Sequence, residues 1–133
     1  MSAQIVLENE FITIWYHADA KVVHHKVHKH LYGQSFRDAL SLGSETLKKN
    51  GATKWLSDDR DNAVVNKEDE EWGRTVWFAE TLKAGWKFWA IVQPAKILGQ
   101  MNIKRIVENF AGAGIKTQFF SDPDEAMTWL KAQ

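Results

Sequence analysis

The stretch Thr53–Pro94, TKWLSDDRDNAVVNKEDEEWGRTVWFAETLKAGWKFWAIVQP, constrains the fold more than any other part of the chain. A strand-like run from Thr53 to Ser57 leads into a polar loop, a helical pattern and a second strand-like run from Phe88 to Val92, closed by Pro94. That order is the signature of a βαβ unit. A crossover helix obliges its two strands to run parallel and lies across one face of their sheet. The loop after Leu56 therefore opens at the carboxyl edge of the strands, where α/β folds place their sites.

Within this unit Asn66 is placed to cap a helix whose first turn holds Glu68, Asp69 and Glu70, at the end where the macrodipole favours anions. Trp72, Val76, Ala79 and Leu82, with Phe78 beside them, form its apolar stripe, and Gly85 supplies the terminus. Upstream, Phe11 to Tyr16 and Lys21 to Leu31 read as a hairpin around His17-Ala18-Asp19-Ala20, with Ile5 to Leu7 as a short edge strand ahead of it. Phe36, Leu40, Gly43 and Leu47 then recur at helical spacing, with Ser35 and Asp38 in the positions of a capping box and Asn50-Gly51 as the stop. Downstream, Leu98 to Ala111 is helical, Lys116 to Phe120 is a strand, and Asp122-Pro123-Asp124-Glu125 starts a last helix that buries Ala126, Trp129 and Leu130.

The predicted class is α/β: an N-terminal β-hairpin followed by alternating helices and largely parallel strands, a mixed sheet with about four helices, in one domain spanning residues 1–133. Seventeen basic residues balance seventeen acidic ones. A sequence-independent grip on nucleic acid needs a net basic face and is not expected. Cysteine is absent, which removes thiolate metal sites and cysteine nucleophiles and suits a reducing cytoplasm. No signal peptide or membrane span is legible, and the expected location is cytoplasmic.

The order of elements resembles that of the STAS domains, the anti-sigma-factor-antagonist superfamily. KWLSDDRDN, EDEEW, Trp77, AGWKFWAIVQP and FFSDPDEAMTWL resemble an uncharacterised bacterial STAS-like subfamily often placed near the CRAL-TRIO lipid carriers, over nearly the whole chain from Phe11 to Leu130. The resemblance implies a STAS-like fold and a non-catalytic protein-interaction or regulatory module. Phospho-regulated members carry an Asp-Ser-Gly type signature at the start of the second helix. Here that place reads Val65-Asn66-Lys67-Glu68-Asp69, without a hydroxyl and already acidic, so the phospho-switch is not expected. The alternative is a carrier or sensor of a small apolar or anionic ligand, lipid-like, bound near the second helix.

Asp58, Asp59 and Arg60, with Asn66 at the next helix start, are the candidate partner-binding residues, because they set fixed charge beside helical N–H groups. The same carboxylates around one guanidinium suit an ordering ion-pair network, or a magnesium site. General acid-base work would also need a pocket and a shifted pKa. Trp72, Trp77 and Trp86 are the candidate ligand groove: Trp77 stands one step off the stripe and, with Trp86, is expected either in the core or partly exposed beside an apolar cleft. On a strand from Lys21 to Leu31, His24, His28 and His30 share a face opposite His25. They are the residues that would ligate zinc or nickel, and the polar face of a hairpin accounts for them without a metal. No cofactor is expected; a protein partner is, a small apolar ligand is the alternative, and a homodimer stays open.

Overall fold

The computed structural model describes residues 3–62, 64–110 and 112–133. Its six strands, β1 (Ala3–Glu8), β2 (Ile12–His17), β3 (Val22–Val27), β4 (Lys54–Asp58), β5 (Phe88–Val92) and β6 (Lys116–Phe120), lie side by side in chain order. β1, β2 and β3 pair antiparallel, and β3 to β6 pair parallel. The helices are α1 (Gly33–Lys49), α2 (Lys67–Trp72), α3 (Phe78–Lys83), α4 (Ile97–Glu108) and α5 (Pro123–Lys131), with a π-helical turn, Gly73–Trp77, between α2 and α3. Helical dihedrals at Trp72, Gly73, Trp77 and Phe78 carry α2 through this turn into α3 as one rod, which gives the four helical segments expected.

The βαβ reading of Thr53–Pro94 holds, with β4 paired parallel to β5 from Lys54↔Phe88 to Asp58↔Val92. Alternation along the strands divides the core in two. Ile12, Ile14, Val23, Trp55, Trp89 and Ile91 face α1, α3 and α4, whereas Val22, Leu56, Ala90 and Val92 face Ala126 and Leu130 of α5. At one point α1 touches the sheet with no side chain of its own, where Gly43 rests on the Trp55 indole.

Four expectations are corrected. β3 ends at Val27 instead of Leu31, so His28 and His30 lie beyond the strand and do not share its alternation. The Ser35–Asp38 capping box does not form: α1 begins at Gly33, whose φ of 67° turns the chain, and the Gly33 N–H is capped by the Asp69 carboxylate of α2 at 2.9 Å. The stripe of the second helix is rotated, because a π turn advances fewer degrees per residue than an α-helix. Val76 and Ala79 are therefore exposed, while Trp77, Phe78 and Thr81 turn inward. Finally α4 runs Ile97–Glu108, and the expected end at Ala111 lies outside the described residues.

Candidate functional site

β3 and β4 run parallel, so the residues at their carboxyl ends reach the same edge of the sheet. His25 pairs in register with Ser57, and Asp59 follows the last residue of β4 on the same face as Ser57. On the face where the helices α1, α2 and α4 come down, these three side chains floor a half-enclosed cavity of about 90 Å³. Its walls are apolar: Ile12, Val27 and Leu31 from the β2–β3 side, Phe36 and Leu40 from α1, Trp77 from the π turn, and Ile103, Ile106 and Phe110 from α4 and its end. Asp69, Glu70 and Gly73 edge it on the α2 side.

The floor is held by a chain of buried hydrogen bonds. The Trp55 indole N–H donates to His25 Nδ1 at 3.0 Å, and His25 Nε2 lies 3.0 Å from Asp59 Oδ1. Because the indole can only donate, Nδ1 must accept, which places the imidazole proton on Nε2 and directs it at the carboxylate. Beside it the Trp89 indole N–H donates to Ser57 Oγ at 2.8 Å. Both ring nitrogens of His25 are thus engaged, and the order of groups is not that of a nucleophile activated by an imidazole. His25 orients Asp59 and holds no free nitrogen toward the cavity.

The remaining acids are matched by arginines. Asp69 accepts the Gly33 N–H and lies 3.5 Å from Arg37 Nε. Glu70 takes a two-pronged contact from Arg105 at 2.6 and 2.8 Å, which holds its carboxyl below the usual range, while Arg105 is raised in return.

The candidate partner-binding residues do not act together. Successive residues at a strand end point to opposite faces, and so Asp59 enters the cavity while Asp58 turns to the α5 side. There Arg60 grips Asp58 through Nε at 2.9 Å and Nη2 at 2.8 Å, with Lys26 at 4.0 Å. Burial pushes Asp58 up, but the Arg60 hydrogen bonds and the Lys26 charge outweigh it and leave the carboxyl lowered. The network reading of the loop applies to this pair. Asn66 accepts the Asp69 N–H at 2.8 Å and serves as the α2 cap.

Of the groove candidates, Trp77 and Trp86 are 6% and 2% exposed, so of the two alternatives the core position holds and the partly exposed one does not. They pack with Trp55, Trp89 and Phe78 in one aromatic cluster, and Trp77 alone of the three groove residues lines the cavity. Trp72 lies aside, against Phe36 and the Arg37 guanidinium. The histidines part company: His24 Nδ1 meets His17 Nε2 at 3.0 Å, His28 Nε2 meets the Thr13 hydroxyl at 2.8 Å, and His30 lies beside Tyr32. Among the described residues no group of three or more metal-ligating side chains is gathered. The sequence reading sent His25 to the face opposite His24 but did not link it to Asp59. Trp55, Ser57 and Trp89 were legible as β4 and β5 residues, and only the tertiary structure shows Ser57 in the floor with the two indoles hydrogen-bonded to it and to His25.

No family model, curated protein or solved structure matches the chain.

Proposed function

We propose that this chain is a non-catalytic regulatory module of the kind the STAS resemblance implies, whose cleft against α2 takes a small, largely apolar ligand. The observation that carries this reading is the cavity, an apolar space at the carboxyl edge of parallel strands that the protein's own side chains leave open. At about 90 Å³ it suits a ligand of a few heavy atoms, since an apolar cavity of roughly 150 Å³ takes benzene. A long acyl chain would need α4 to move outward. Catalysis is disfavoured because His25 has no ring nitrogen free to exchange a proton with a substrate.

A two-dimensional amide spectrum recorded during titration with n-butanol tests the reading. Saturable shifts gathered on the Trp77 and Trp89 indole N–H groups and on Ile103, lost in Ile103→Phe, are expected. Shifts scattered over the surface, or no shift from either n-butanol or n-butylammonium, would remove it.

Docking of a protein partner is a second reading, favoured by one specific observation. Ile97, Leu98 and Met101, at the start of α4, are 67%, 69% and 62% exposed, and Val64 is exposed in the loop before α2. Neighbouring aliphatic side chains so placed are a feature of interaction surfaces. Ile97, Leu98 and Met101 belong to the same helix that walls the cavity, so a ligand entering beside Ile103 and Ile106 would press on the element that bears them.

A further inference from the structure

Asp59 is 7% exposed, and it is the carboxylate at the floor of the cavity. Its Oδ1 accepts from His25 Nε2 at 3.0 Å, and among the described residues its Oδ2 has no protein donor. A carboxylate withdrawn from water normally collects two or more donors or a counter-charge. Asp69 and Glu70 have theirs in Arg37 and Arg105, and Asp58 has its own in Arg60 on the far side of the sheet. Asp59 has one imidazole N–H, whose tautomer Trp55 holds. The arginine-matched acids contribute no net charge, so the cavity keeps one uncompensated negative charge within apolar and aromatic walls.

We infer that the ligand of this cavity is a small apolar cation, of the alkylammonium class, whose N–H groups meet the open oxygen of Asp59; this rests on the small-ligand reading above. An anion would meet the unmatched charge of Asp59 with no cationic side chain lining the cavity, and a neutral hydrocarbon would leave Asp59 desolvated and unpaired. An ammonium supplies both the donor and the charge, and charge-assisted hydrogen bonds of this kind are stronger than neutral ones. Trp77, Trp89 and Phe110 in the lining add aromatic surface of the sort that attracts cations. The apolar part of the ligand would lie toward Leu40 and Ile103.

Three probes of similar size separate the possibilities: n-butylammonium, n-butanol and butyrate, titrated at neutral pH with amide and indole resonances as the readout. We expect n-butylammonium to bind about tenfold tighter than n-butanol, and butyrate weakest. Asp59→Asn, whose amide oxygen can still accept from His25, should bring the ammonium and the alcohol to comparable affinity. Ile103→Phe, which fills the cavity without touching its charge, should abolish binding of both. Butyrate binding as tightly as the ammonium, or an ammonium preference that survives in folded Asp59→Asn, overturns the inference and leaves the small-ligand reading in place. Failure of all three probes to move cavity resonances overturns both. If Asp59→Asn does not fold, the order of the three probes on the natural chain, and its loss in Ile103→Phe, decides alone.

Discussion

At the scale of single residues the fold depends on a few contacts that tolerate no atom more or less. Gly43 lies where α1 meets the Trp55 indole, and a β-carbon there would stand 2.3 Å from the ring atom Cη2. Gly43→Ala must therefore push the helix from the sheet, and a loss of about 1–3 kcal/mol is expected, as for other overpacked cores. Urea denaturation measures it; an unchanged midpoint would mean that α1 shifts without cost. Arg60 presents a different balance. Its side chain is 40% exposed, but it supplies two hydrogen bonds to Asp58, whose side chain is 2% exposed. Arg60→Ala leaves that carboxylate with only Lys26 at 4.0 Å and the Arg60 backbone N–H at 3.4 Å. The expected loss is about 1–2 kcal/mol, below that of a fully buried pair because solvent already screens the guanidinium. A thermal melt decides: an unchanged melting temperature together with lost partner capture would make Arg60 a docking residue.

At the scale of elements the hairpin β2–β3 carries a titration built into its α5-side face. His24 packs against Trp15 and His17, and its Nε2 is buried with no hydrogen-bond partner among the described residues. Burial first, and then the charges of His17 and His25, hold its pKa down to about 3 from the usual 6.5, against the opposing pull of Asp58. His17 is lowered as well, chiefly by burial. The folded chain thus favours the neutral imidazole, while the unfolded chain takes up a proton below pH 6.5. Stability is complete above that pH and falls as pH drops toward about 3, by at most ~1.4 kcal/mol per pH unit for His24. Melting curves from about pH 7 to about pH 4 should show this slope, and His24→Leu should flatten it. An equal slope in the variant would assign acid sensitivity elsewhere. The rod formed by α2, the π turn and α3 teaches a related lesson. Its stripe of Trp72, Val76, Ala79 and Leu82, with Phe78, has ideal α spacing; Phe78 is buried and Trp72 and Leu82 partly so, but the π turn rotates the register so that Trp77 is buried where Val76 and Ala79 are exposed. Nothing in local periodicity announces that turn; the space beneath it, where Trp77 donates to the Leu40 carbonyl at 3.0 Å, selects it.

At the scale of the whole molecule, all the parallel crossovers lie on one side of the sheet, with α5 alone on the other. The carboxyl edge then brings together the cavity and the exposed start of α4. Replacing Leu98 by Glu and Met101 by Lys should leave the melting temperature within about 1 °C, because both side chains are already exposed and surface changes cost little. The same pair of changes should abolish any partner capture or self-association seen by sedimentation. Association that persists in the double variant would remove the second reading.

The sequence by itself determined the class of the fold, because alternation, helical period, caps and glycine stops are local signals that each segment carries alone. Thr53–Pro94 had to be a βαβ unit, Asn66 had to cap α2, and Pro123 had to open α5. Asp59 was legible as a site candidate for the same reason, by its place after a parallel strand. Tertiary structure alone decided which way each side chain was used. Whether Asp58 or Asp59 enters the cavity, whether Asp38 or Asp69 caps α1, and whether His25 is paired depend on contacts between residues thirty or more positions apart. Such contacts are chosen by packing, where the partner that excludes water and satisfies the buried polar atom prevails, and no local pattern encodes that choice.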